Sequence, residues 1–234
     1  RQTSARQTTK PTKMNRIQGI KRRETFFPGN VRVRETGGEE SSRIIEGVAI
    51  VFNSQSEPLY EDDELEIREV IAPEAVTREL LDASTILMTL YHDNRRLLAR
   101  SLRGSGSLTY EIRDDGVHFS FEAPDTEDGR VALEAIRRGD ITGCSFAFTV
   151  NYGDRSEVER QSETRDGKEY VVYTVKRMRS VHDFTLTPLP AYPQTEAQTT
   201  RAIEEEFRAG QLEQEKARRR QRTIEELFSK SREF

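Results

Sequence analysis

Residues 108–122 read LTYEIRDDGVHFSFE. Leu108, Tyr110 and Ile112 alternate with polar neighbours before Asp115-Gly116, and Val117, Phe119 and Phe121 alternate after it. A period of two sends one set of side chains to one face of a strand. Asp-Gly is suited to the positive φ of a tight hairpin turn. The stretch is therefore a hairpin with one apolar face, and that face needs a core. A second hairpin follows by the same logic at Asp166-Gly167, which precedes Tyr170-Val171-Val172-Tyr173-Thr174-Val175. Ile44–Phe52 (IIEGVAIVF) is too short and too β-branched for a good helix and reads as a strand. Two helices interrupt the strands: Pro73–Ala83, with Pro at an early helical position, and about Thr126–Arg138, closing on Gly139. The expected body is mainly β with some α, mostly antiparallel.

The whole chain has 234 residues, 34% hydrophobic and 33% charged, without Trp. That apolar share is below the roughly 45–50% of an ordinary globular domain, so part of the chain lies outside any core. The net charge of -4 is an average over unlike regions. Residues 1–34 hold 10 Lys and Arg against 1 Glu, residues 201–234 hold 9 against 8, and the remaining 35–200 hold 18 against 32, a net -14. A basic arm expected to be disordered, an acidic body and a charged extension that can be helical are three different objects. The arm suits weak binding of nucleic acid or of an acidic surface, and its bland reading is a solvated tail. Met14 is a candidate start of the natural product, with 1–13 an upstream extension. A single Cys excludes a disulfide framework and a Cys-rich zinc site, and three dispersed His give no metal-binding helix face. No cofactor is expected. No run approaches the roughly 20 apolar residues that cross a bilayer, which leaves a soluble protein of a reducing compartment as the default.

Nucleophilic chemistry needs a Ser, Cys or Thr beside a base that a third group orients. His92 ends the apolar run Ile86–Tyr91 and precedes the polar Asp93-Asn94-Arg95-Arg96. It stands where a core meets a loop, although alone it is as well read as bonding to that loop. In Gly143–Val150 (GCSFAFTV), alternation sends Cys144, Phe146, Phe148 and Val150 to the core and leaves Ser145 on a thinly covered face. This argues against Cys144 as nucleophile, while a lone strand Ser is usually a surface residue. In Val181–Thr187 (VHDFTLT), Asp183 shares the polar face with Thr185 and Thr187. It is placed to orient an imidazole, with His182 as the alternative if a bulge re-aims it. His118 reads as solvent-facing, and Arg138-Gly139-Asp140 reads as a helix end, Gly139 serving as its C-cap.

Taken together, Gly47–Asn53 (GVAIVFN), Tyr91-His92-Asp93, Arg138–Phe148 (RGDITGCSFAF), Asp183 and Pro190–Thr195 (PAYPQT) resemble, in order and rough spacing, the tailed-phage prohead proteases. These are capsid-maturation serine proteases related to the herpesvirus assemblins, and the resemblance covers about 44–196. It implies an antiparallel β-barrel with a few surrounding helices, and makes 35–200 the protease domain. It matches the family's His to His92, its nucleophilic Ser to Ser145 and its third member to Asp183 or His182. Ala147 stands where a Gly is expected, Tyr91 where Asn is usual and Ala99 where Gly is common. The implied substrates are scaffold segments, the scaffold-like part of the major capsid protein and the protease itself, inside an immature capsid in the host cytoplasm. A homodimer is among the implied states. Arg95, Arg96, Arg137 and Arg138 are oxyanion candidates by sequence proximity only. A non-catalytic scaffolding or capsid-assembly protein with charged arms is the alternative, and a metal-dependent hydrolase is disfavoured by the small number of ligands.

Overall fold

The computed structural model describes residues 20–27, 31–35 and 42–188, together with Arg208, Leu212, Lys216 and Arg219. In chain order the strands are β1 (Ile20–Phe27), β2 (Val31–Val33), β3 (Ile44–Val51), β4 (Tyr60–Glu61), β5 (Leu65–Ile71), β6 (Thr85–Leu90) and β7 (Asp93–Leu102). They continue with β8 (Ser105–Gly106), β9 (Thr109–Arg113), β10 (Gly116–Glu122), β11 (Gly143–Asn151), β12 (Val158–Arg165), β13 (Lys168–Val175) and β14 (Ser180–Thr187). Two helices, α1 (Arg78–Ala83) and α2 (Glu127–Arg138), lie between them.

The strands form three sheets, ordered β1-β11-β14-β6-β7-β8, β2-β3-β10-β9 and β12-β13-β5-β4. The fold is mainly β with few helices, as expected. Among the described residues no sheet closes on itself, so the expected barrel is not seen. Nor is the pairing wholly antiparallel, because β14 pairs with β6 and β13 with β5 in parallel. The N-terminal arm needs correction too. The sequence leads one to expect residues 1–34 to be disordered, yet β1 pairs with Cys144–Asn151 of β11 and β2 pairs with β3. Backbone pairing needs no apolar alternation in an edge strand, which is why IKRRETFF gave no periodic signal. The earlier part of the arm lies outside the described residues. In the C-terminal extension Arg208, Leu212, Lys216 and Arg219 are helical, and Arg208 meets Glu169 of β13; the rest of 201–234 lies outside the described residues.

Local chemistry explains the elements. The β9–β10 hairpin pairs Ile112 with Val117 and Tyr110 with Phe119, so its apolar face is continuous. Its turn is Asp114-Asp115, because Gly116 already pairs with Arg113. Gly116 is needed for a close approach instead: a Cβ there would lie 2.1 Å from the Ile50 carbonyl oxygen of β3. At the second hairpin Asp166 and Gly167 do take positive φ, 50° and 83°, between Arg165 and Lys168. The run 73–83 is not one helix. A single 3-10 turn at Pro73–Ala75 ends at extended Val76, and Thr77 then caps α1 by accepting a hydrogen bond from the Leu80 N–H. α2 matches expectation, with Thr126 capping its start and Gly139 at φ 78° ending it.

The core is one cluster drawn from all three sheets. Phe146 and Phe148 of β11 stack at 5.2 Å, and Phe184 of β14 meets Phe119 of β10 across the gap at 6.4 Å. Each such pair adds about 0.5–1.5 kcal/mol beyond its burial. The third sheet packs at the end of β11 through Tyr152 and Tyr173, edge to face at 5.2 Å. Among the described residues no helix is long and apolar enough to cross a membrane.

Candidate active site

Three adjacent strands of the first sheet carry the expected residues. Ser145 of β11 pairs with Thr185 of β14, and Thr185 pairs with Thr89 of β6, so the three form one row across the sheet. Asp183 lies one pleat away on the face shared with Thr185. His92 lies in the turn that follows β6. Leu90 pairs with Asp93, and between them Tyr91 and His92 both take positive φ, 58° and 56°. That is the signature of a two-residue type I′ turn, a conformation most side chains resist.

The turn brings the imidazole between the other two side chains. His92 Nδ1 lies 2.7 Å from Asp183 Oδ1, and His92 Nε2 lies 2.9 Å from Ser145 Oγ. A carboxylate only accepts hydrogen bonds, so in the neutral imidazole Nδ1 carries the proton and Nε2 is left as an acceptor facing Ser145 Oγ. Asp183 is buried, and the His92 side chain keeps only 9% exposure. Ser145 is buried too, against the expectation of a thinly covered face, and β1 pairs beside it. Its hydroxyl also lies 3.1 Å from the Thr25 carbonyl oxygen of β1.

A second set of contacts holds the turn. Thr185 Oγ1 accepts from the His92 backbone N–H at 2.9 Å, contacts Thr89 Oγ1 at 2.8 Å and donates to the Thr89 carbonyl at 3.0 Å. Both threonines are fully buried. The sequence put Thr185 on the face of Asp183 without assigning it work; the available signal was polar β-branched residues in two otherwise apolar strands.

A nucleophile, a base and an orienting carboxylate at hydrogen-bonding distance can transfer an acyl group. Comparison with known proteins then decides the family. The model of the caudovirus prohead serine protease family matches residues 29–209. The chain belongs to that family. Among solved structures it is similar to the bacteriophage T4 capsid assembly protease, at 10% identity and a TM-score of 0.35, covering 70% of this chain and 98% of that one. No curated protein matches.

Other residues of this prohead protease family member fall elsewhere. His182 is re-aimed by a bulge, since β14 shifts register between the partners of Ala147 and Phe148. Its Nε2 lies 2.7 Å from Thr149 Oγ1 and 3.3 Å from Ser180 Oγ, two pleats along β11 from Ser145. Burial pushes the Cys144 thiol well above its ordinary pKa, which keeps it an unreactive core residue. The candidate arginines are engaged away from Ser145: Arg95 with Asp93, Arg96 with Asp128 and the Tyr91 ring, Arg137 with the Ser42 carbonyl, and Arg138 with Asp140. His118 is held between Asp115 and Arg113 with its side chain 21% exposed. Among the described residues no group of three or more His, Cys, Asp or Glu is placed to hold a metal.

Proposed function

We propose that the chain is a serine endopeptidase of capsid maturation whose catalytic residues are Ser145, His92 and Asp183. The observation that carries the reading is the imidazole of His92 lying between Ser145 Oγ and Asp183 Oδ1 in a chain of a serine protease family. His92 Nε2 takes the Ser145 proton as Oγ attacks the scissile carbonyl carbon. The tetrahedral adduct collapses to an acyl-enzyme as His92 returns that proton to the leaving amine. Water, deprotonated by His92, then attacks the acyl carbon, and the ester bond breaks as His92 returns that proton to Ser145 Oγ and the new carboxylate leaves. Asp183 accepts from Nδ1–H throughout, fixing the tautomer and stabilising the imidazolium.

The substrates in this reading are scaffold segments, the scaffold-like part of the major capsid protein and the protease itself, cut inside the immature capsid. Residues 35–200 act as the protease domain. For the fold we retain the assemblin-like barrel, with β11 lying against β3 as the seam between the first two sheets. A homodimer and weak nucleic-acid binding by the basic arm belong to the same proposal.

The test is co-expression with the capsid protein and its scaffold, read by mass spectrometry. Wild type gives processed shells and trimmed protease, whereas Ser145→Ala gives neither. Processed shells from Ser145→Ala overturn the assignment.

A further inference from the structure

The site is closed by the chain itself. Ser145 is 1% exposed and Asp183 2%. Attack requires a substrate carbonyl carbon about 3–3.5 Å from Ser145 Oγ. β14 pairs with one side of β11 and β1 fills the other, antiparallel and in unbroken register from Ile20↔Asn151 to Phe27↔Cys144, with Phe26 opposite Ser145. The contact reaches the nucleophile. The Ser145 hydroxyl donates to the carbonyl of Thr25, itself 1% exposed. A hydroxyl has one proton. Donated to Thr25, it is withheld from His92 Nε2, and the oxygen is not activated.

Two further observations mark β1 as separable. The family match begins at residue 29, so β1 lies outside it while β11, β14, β6 and β7 lie within. β1 is also the edge strand of its sheet, so it can leave without opening the interior.

We propose that β1 is a latch. Residues 20–27 occupy the edge of β11 along which an extended substrate segment pairs, and the site becomes competent when that strand leaves. The partner of the bared edge is a polypeptide in extended conformation, held chiefly by backbone hydrogen bonds. This inference rests on the Ser145–His92–Asp183 reading, because a latch has meaning only over a working nucleophile.

The experiment follows Ser145 labelling by a serine-directed phosphonate, read by intact mass, in the full chain and in a chain beginning at residue 28. Ser145→Ala in each background sets the blank. The shortened chain labels at least about tenfold faster, the factor by which a site open a tenth of the time lags behind an open one. Equal labelling of the two chains overturns the latch and leaves the catalytic reading standing. Absence of Ser145 labelling in both overturns the catalytic reading, and the latch with it. Should the shortened chain not fold, a full chain carrying a sequence-specific cleavage site between Phe27 and Val31 is folded first and cut afterwards. A rate unchanged by cutting and removal of the released segment overturns the latch equally.

Discussion

Thr185 does the quietest work in the site. Its side-chain oxygen accepts from the His92 N–H and meets the hydroxyl and the carbonyl of Thr89, so it ties the turn that carries the base to the strand that carries Asp183. His92 needs that tie, because a side chain at φ 56° holds strain of about 1–3 kcal/mol that only its surroundings can sustain. Thr185→Val keeps the shape and removes the bonds, taking the acceptor from a part-buried N–H at a cost of about 1–3 kcal/mol. If the turn then drifts, kcat falls about 10- to 100-fold, equivalent to about 1.4–2.8 kcal/mol of barrier, while KM stays within about twofold. Thr185→Ser, which keeps the hydroxyl, restores kcat. A purely structural role would lower the melting temperature of the Val variant and leave kcat per folded molecule unchanged. Tyr91, at φ 58° in the same turn, shows why Asn is the residue the family resemblance leads one to expect there: Asn tolerates the left-handed region better.

At the scale of elements, the relation of β11 to β14 decides whether Ser145 and Asp183 face one imidazole. Glu157 fixes that relation. Its carboxylate accepts from the Asn151 N–H at the end of β11 and from Arg179 just before β14, and its carbonyl accepts from the Lys176 N–H. Burial pulls its pKa upward, but the bonds from Arg179, Asn151 and Arg177 and the charge of Arg179 outweigh that and hold it below the ordinary carboxylate value. A folded pKa below the unfolded one gives stability that is fully present above the unfolded value, about pH 4.3, and is lost as pH falls through the folded value. Glu157→Gln therefore lowers the melting temperature at pH 7 by about 4–8 °C, for a loss of about 2 kcal/mol. The gap to wild type narrows below about pH 4, and a gap independent of pH from 7 to 3 refutes the charge argument. Elements of this kind were only partly legible. Alternation in Leu108–Phe121 and Gly143–Val150 is a local signal and gave the strands, as Thr126 and Gly139 gave α2. The parallel pairing of β6 with β14 joins strands about a hundred residues apart and leaves no mark on either. The bulge at His182 is a matter of register, so alternation placed Asp183 correctly but could not say where His182 would turn. His92 and Ser145 were legible only as an ordered set of motifs, and the burial of Ser145 not at all, because alternation tells which face a residue takes and not what covers that face.

For the whole molecule, the sequence divides charge between a basic arm at +9 and an acidic body at -14, and the fold joins the two where β1 meets β11. Covalent attachment matters to how that joint behaves. β1 and β2 are separated by residues 28–30, and a short tether holds a segment at an effective concentration of the order of 1 mM. A latch closed about nine-tenths of the time at that concentration implies a dissociation constant near 0.1 mM for the same segment added in trans. The peptide IKRRETFF, residues 20–27, should therefore slow phosphonate labelling of the shortened chain about twofold at 0.1 mM and about tenfold at 1 mM. A scrambled peptide of the same composition carries the same charge but loses the pairing of particular residues with β11, and inhibits less. Equal inhibition by both peptides means that charge alone attracts the arm and that register contributes nothing. Since the peptide carries Lys21, Arg22 and Arg23 against Glu24 and meets an acidic body, its inhibition weakens as salt shortens the screening length from about 10 Å at 0.1 M toward 3 Å at 1 M. The backbone bonds to β11 survive that screening, so inhibition that persists in part at high salt, and only for the native order of residues, identifies the strand itself as what closes the site.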